Sequence, residues 1–226
     1  MNRAHRVIPL LIRERADQAS AAVPGLLSRQ PILDAENRVV GYELTFSNSG
    51  DPSDRVAAQA LGDGEHGLAA LTGGQPAWIR VSRAFLLTFD PLPVAAGSVV
   101  LQLDRDTLVD DELLERLARL RAEGHRLALD DFFPSAGIQP LVRHADYLKV
   151  DLAGYGPAGI SAVIDRLPER HPEIVVTNVE SPAQAATCVR RGATLLQGLF
   201  FARPRPVGDR PVPAASLARL QALVAL

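Results

Sequence analysis

Cys188 is the only cysteine in 226 residues, so no disulfide framework is open to the chain. Charge of one sign is scarce too. The balance of 24 basic and 26 acidic residues leaves −2, which excludes the global basic field of a nucleic-acid-binding domain. No apolar run is long enough to span a bilayer. The basic N-terminus surrounds only a short apolar stretch, residues 7–12, and Arg13 and Arg15 interrupt it before a secretory core is reached. A Gly-rich phosphate loop after the first strand is missing, because Gly73-Gly74 lacks the spacing and precedes a strand. The histidines (His5, His66, His125, His144, His171) show no metal spacing and no Ser or Cys partner. No internal repeat is seen. With 47% hydrophobic and 22% charged residues the chain is an ordinary globular one, expected to be soluble and cytoplasmic.

What is present is a regular alternation. A lead-in over residues 1–26 is followed by a single expected domain over 27–226. Strands are expected at 27–33 and 39–46, joined as a hairpin by the polar turn at 34–37. A loop at 48–53 and an Ala/Leu-rich helix at 54–71, broken near Gly62 and Gly64, come next. Strands then alternate with helices. The strands are 77–81, 98–103, 126–130, 146–150, 174–179 and 194–197, and the helices 82–87, 110–122, 138–143, 159–170, 182–191 and 214–226. Nearly continuous apolar strands alternating with helices imply parallel βαβ units buried on both faces. Length and unit count favour an α/β fold, a TIM-like (β/α) barrel begun by an antiparallel hairpin.

Polar residues recur where strands end: Glu43, Arg80 or Ser82, Gln102 or Asp104, Asp130-Asp131, Lys149 and Asp151, Glu180, and Gln197. In barrels that face carries the chemistry. A ring of carboxylates with one lysine suits a divalent-metal phosphoryl site, because hard cations want oxygen ligands. Taken singly, an Asp after a strand is more often a helix cap or turn residue.

Six segments carry a resemblance. They are Arg29-Gln30-Pro31-Ile32, Gly41-Tyr42-Glu43-Leu44, Leu127-Ala128-Leu129-Asp130-Asp131-Phe132, Asp146-Tyr147-Leu148-Lys149-Val150-Asp151, Val179-Glu180, and Gln197-Gly198-Leu199-Phe200-Phe201-Ala202-Arg203-Pro204. In this order and spacing they resemble the EAL domain, a TIM-like barrel that hydrolyses cyclic di-GMP with two Mg²⁺ or Mn²⁺ ions. The opening and the short loop after Asp131 are most similar to the EAL half of EAL–HDOD proteins. The resemblance implies that Glu43 is the signature glutamate and a metal ligand. It makes Asp130 and Asp131 the paired metal-binding aspartates and Lys149 the lysine that holds water. Glu180 becomes the late glutamate and Gln197 the glutamine near the site.

Other positions depart from that pattern. The signature reads Glu-Leu-Thr. The family's asparagine ligand falls on Arg80, its next metal-binding glutamate on Gln102, and a second glutamate of that strand near Asp104 or Arg105. A further acid falls on Thr177, the substrate-binding arginine on Ser47, and the glycine after the aspartates on Phe133. Gln102 keeps an oxygen and loses its charge. A guanidinium offers no acceptor and cannot be deprotonated. About 4 Å from a divalent ion it would oppose binding by roughly 8 kcal/mol at an effective dielectric near 20.

The expectation is therefore that Arg80 takes the metal's place and pairs with Glu43 and Asp130, and that no metal or other cofactor is bound. Glu43, Asp130, Asp131 and Glu180 remain as residual ligand positions of a degenerate site. Lys149 is read as a structural ion pair with Asp131 or Asp151, and Gln197 as a backbone cap inside the barrel. Phe132 and Phe133 are read as plugs over the mouth, and Cys188 as core. The implied function is an inactive EAL-like domain, a regulatory and protein-interaction module in cyclic di-GMP-related signalling. Its partner would be another protein, a second copy of the chain included, with neither nucleic acid nor membrane. Two alternatives are a weak Mg²⁺- or Mn²⁺-dependent phosphodiesterase and a non-hydrolysing cyclic di-GMP receptor. Loss of the arginine at Ser47 ranks the receptor below the interaction module, and an unrelated barrel enzyme ranks last.

Overall fold

The computed structural model describes residues 26–47, 64–92, 94–134, 139–167 and 171–206. Residues 1–25 of the expected lead-in, the loop at 48–53, most of the helix at 54–71 and the helix at 214–226 lie outside them, and Leu26, counted with the lead-in, begins the first strand. The first two strands, β1 (Leu26–Asp34) and β2 (Val39–Ser47), form an antiparallel hairpin. Asp34 closes its turn: Oδ1 accepts from the Glu36 and Arg38 amides at 3.0 and 2.8 Å.

From β2 onward the strands run parallel: β3 (Ala77–Arg80), β4 (Val99–Asp104), β5 (Arg126–Asp130), β6 (Tyr147–Asp151), β7 (Glu173–Thr177) and β8 (Leu195–Leu196). β1 closes the ring by pairing antiparallel with both β2 and β8. The result is a closed, mixed, eight-stranded barrel. A two-residue strand unseen in the sequence, β9 (Arg205–Pro206), adds to β1 opposite Ser28 and Arg29.

Period-two alternation sorts each strand into two faces. The outward set (Leu101, Leu103, Leu127, Leu129, Leu148, Val150, Ile174, Val176) packs in one buried cluster with helix residues such as Leu113, Leu117, Leu120, Ile160, Val163 and Cys188. Each such side chain contributes about 1.5–3 kcal/mol by leaving water. The inward set divides by height. Ile32, Trp78, Val100, Ala128, Tyr147, Val175 and Leu195 fill the lower barrel as a separate apolar plug, with the Trp78 and Tyr147 rings 4.6 Å apart. Two residues further along the same strands the inward positions turn polar.

Helices follow the strands: α1 (Gly64–Thr72), α2 (Arg83–Thr88), α3 (Asp111–Ala122), α4 (Gln139–Val142), α5 (Leu152–Ile164) and α6 (Pro182–Arg190). Ser82, Asp110, Asp151 and Ser181 cap α2, α3, α5 and α6 by accepting amide hydrogens of the first turn. The helix expected at 159–170 starts seven residues earlier than the sequence suggested. Gly156-Pro157 reads as a breaker, yet Gly156 (φ +62°) only kinks α5, and the Asp151 cap secures the turn before it.

Candidate functional site

The polar layer hangs on five strand residues, Glu43, Arg80, Gln102, Asp130 and Lys149, with Gln197 just past β8. Glu43 on β2 receives a donor on each oxygen. Lys149 Nζ donates to Oε1 at 2.7 Å, Gln102 Nε2 to Oε1 at 3.2 Å, and Gln197 Nε2 to Oε2 at 2.6 Å. Lys149 also donates to Gln102 Oε1 at 2.7 Å and lies 3.2 Å from Asp130 Oδ1. Asp130 Oδ1 accepts the Asp131 amide at 3.0 Å, and Asp130 Oδ2 accepts from Arg80. The second Arg80 amino group reaches Asp104 Oδ2 at 3.3 Å.

Lys149, Gln102, Asp130 and Gln197 are buried, so these charges rely on one another rather than on water. Burial pushes the Asp130 carboxyl up, but Lys149 and Arg80 pull harder and leave it below the ordinary carboxylate range. Burial disfavours the Lys149 ammonium, but Glu43 and Asp130 outweigh that and raise it above the ordinary lysine value. Arg80 is likewise raised, its burial offset chiefly by Asp130.

Six of the eight predicted site residues therefore meet: Glu43, Arg80, Gln102, Asp130, Lys149 and Gln197. Two stand apart. Asp131 adopts φ +46°, which turns it off the strand line, and Arg105 holds it at 3.0 Å. Glu180 is exposed on the β7–α6 loop, where its amide donates to Gln184 Oε1 at 2.7 Å. Of the other departures, Thr177 Oγ1 leans to the Val150 carbonyl at 3.5 Å, and the Ser47 side chain lies outside the described residues.

Several expected pairings are corrected. Arg80 bonds Asp130 and Asp104, not Glu43, because Lys149 already occupies Glu43. Lys149 points inward to Glu43 and Asp130, whereas Asp131 faces Arg105 and Asp151 caps α5. Gln197 bonds side chains rather than backbone, donating also to Gln30 Oε1 at 3.2 Å. Only Phe133 of the two phenylalanines stands at the mouth, stacked on Tyr155 at 5.7 Å, while Phe132 is buried in the strand–helix core. Gln30 was missed. It shares the inward face of β1 with Ile32, a signal present in strand alternation, and donates to the Ala202 carbonyl at 3.0 Å.

The donor set can be tested against the divalent ions that the fold family implies. All four oxygens of Glu43 and Asp130 accept N–H donors: the cationic Lys149 and Arg80, the buried side-chain amides of Gln102 and Gln197, and the Asp131 backbone amide. Among the described residues no group of three or more His, Cys, Asp and Glu is placed to hold a metal ion. As arranged, these carboxylates do not fit a pair of hard cations. No helix among the described residues is long and apolar enough to cross a membrane.

No family model matches the chain. Among curated proteins it is 26% identical over 211 residues to the cyclic di-GMP phosphodiesterase CdgJ of Vibrio cholerae, covering 86% of this chain and 48% of that protein. It is 33% identical over 135 residues to the cyclic di-GMP phosphodiesterase RocR of Pseudomonas aeruginosa, covering 54% of this chain and 33% of that one. The chain spans about half the length of the first curated relatives it matches. Among solved structures, the EAL domain of Mycobacterium smegmatis DcpA superposes with TM-score 0.64 at 20% identity, covering 88% of this chain and 97% of that one. The PaMucR phosphodiesterase in complex with c-di-GMP gives TM-score 0.63 at 20% identity, covering 82% and 98%. The barrel is thus the fold of solved EAL domains, and the curated proteins it resembles in sequence include cyclic di-GMP phosphodiesterases.

Proposed function

We propose that the chain is a non-hydrolysing EAL-type domain, close to the EAL half of EAL–HDOD proteins, that serves as a regulatory and protein-interaction module in cyclic di-GMP-related signalling. One observation carries this reading. Where the resemblance calls for an asparagine ligand, Arg80 places a guanidinium on Asp130 and Asp104. Lys149 adds a second fixed cation between Glu43 and Asp130. The neutral Gln102 removes one negative charge that a pair of divalent ions would need. The internal cations balance the carboxylates that an emptied metal site would leave repelling one another.

A second reading, a receptor or weak phosphodiesterase, draws support from the PaMucR relative, which was solved with c-di-GMP, and from the retained Glu43, Asp130, Asp131, Lys149, Glu180 and Gln197. One pair of measurements separates the readings. The protein is incubated with cyclic di-GMP and Mn²⁺ and assayed for the linear dinucleotide, and binding is followed by titration calorimetry. Neither turnover nor binding is expected. Turnover supports the weak enzyme, and binding without turnover supports the receptor.

A further inference from the structure

Among the described residues four large hydrophobic side chains are exposed. They are Leu108 (68%), Phe133 (43%), Leu199 (53%) and Phe200 (41%). All four stand on loops at the C-terminal ends of strands: Leu108 after β4, Phe133 after β5, Leu199 and Phe200 after β8. Scattered single apolar residues need no explanation, but four confined to one face do.

Two of the four are held in fixed aromatic pairs. Phe133 stacks on Tyr155 of α5 with 15° between the ring planes, and Phe200 meets Phe201 edge-on at 4.8 Å. Pre-ordered aromatic groups lose little side-chain entropy on binding and commonly anchor protein interfaces. By strand order these groups trace an arc from β4 to β8 around the mouth.

The charge of that face indicates what fits it. Three mouth cations are each shared by two carboxylates: Arg80 by Asp104 and Asp130, Arg105 by Asp106 and Asp131, Lys149 by Glu43 and Asp130. Three cations thus face five carboxylates; around them, among the described residues, Asp110, Asp111, Glu112, Asp151 and Glu180 stand with Arg29, Arg83, Arg203 and Arg205, so that ten carboxylates meet seven cations on this face. An apolar face set in net negative charge repels phosphates and attracts Lys and Arg.

We infer that the barrel mouth docks a basic amphipathic segment of a protein partner, apolar side chains on the Phe133 and Leu199-Phe200 clusters and cations toward Asp106 and Glu180. This inference rests on the non-hydrolysing reading of the same site.

The test uses the whole chain and three synthetic helical peptides that share one Leu/Trp apolar face and carry Lys, Gln or Glu opposite it. The Lys peptide is expected to bind at least about tenfold more tightly than the Glu peptide, with the gap narrowing as salt rises. Hydrogen exchange should then slow in residues 105–109, 131–134 and 198–203. The triple variant Phe133→Ser, Leu199→Ser, Phe200→Ser alters exposed positions only, so it should keep its melting temperature and lose about tenfold in affinity. Charge reversal by Asp106→Lys with Glu180→Lys should favour the Glu peptide.

The inference is overturned by no binding of the Lys peptide, by equal binding of all three, by protection elsewhere, or by self-association that buries the rim. Turnover of cyclic di-GMP refutes the non-hydrolysing reading by itself. Loss of peptide discrimination without turnover refutes the docking inference alone.

Discussion

Lys149 reaches across the barrel to Glu43, Nζ to Oε1 at 2.7 Å, from a side chain almost wholly shielded from water. Removing one member of such a pair strands the other. Lys149→Met leaves Glu43 and Asp130 facing each other in the interior, and the expected loss of stability is about 3–5 kcal/mol. Urea unfolding measures it. A loss within experimental error would mean that water, and not Lys149, satisfies Glu43.

On the proposed reading, charge keeps a divalent ion out of the site, so a change of charge should admit one. In the wild-type chain, Mn²⁺ is expected to leave the melting temperature unchanged. The double variant Arg80→Asn, Gln102→Glu frees Asp130 and adds a carboxylate. At about a hundredfold excess over its dissociation constant, Mn²⁺ should stabilise this variant by about 2.7 kcal/mol, a rise of roughly 5–10 °C for a chain of this size. Differential scanning calorimetry with and without Mn²⁺ decides it. A wild-type protein that is itself stabilised by Mn²⁺ would contradict the argument.

Stability should carry two pH limbs. Asp130 is depressed in the folded protein, so its contribution is full above the unfolded value of about 3.9 and is lost as pH falls through the folded one. Lys149 is raised, so its contribution is full below the unfolded value of about 10.4 and is lost as pH rises through the folded one. Unfolding free energy against pH should thus show a plateau between about pH 5 and pH 9. Asp130→Asn should flatten the acid limb and Lys149→Met the alkaline one. A limb that survives its own substitution is owed to other groups.

Gly198 tests how tightly the β8 end is held. A methyl group there would lie 2.1 Å from the Val179 carbonyl oxygen and 2.3 Å from its nitrogen. These atoms are backbone and cannot swing away. Gly198→Ala should cost about 3 kcal/mol, read as a lower urea midpoint, and should loosen the adjacent Leu199-Phe200 turn.

The alternation of strand and helix was legible because both faces of each strand are buried, and β5 falls at residues 126–130, where the apolar run placed it. Asp110 and Ser82 were legible as helix starts from their chemistry. β9 was not, since two exposed residues, one of them Pro206, carry no strand signal. The members of the site were readable from strand ends, but not who bonds whom. Alternation from Tyr147 places Lys149 inside the barrel. Choosing Glu43 over Asp131 needs the barrel closed, because Lys149 and Glu43 stand on strands 106 residues apart in sequence. The same holds for Gln30, whose partners Gln197 and Ala202 lie near the other end of the described chain.

The reversed first strand has one more consequence. Because β1 runs against its neighbours, Leu26 pairs with Ser47 at the mouth end of β2, and Pro206 pairs with Ser28 close by. The described barrel is therefore entered and left on the side where its polar layer opens. A pull or a twist applied through either junction is delivered to the mouth before it reaches the apolar plug below. Conversely, a partner seated on the rim has its shortest mechanical path to the rest of the polypeptide through those two junctions.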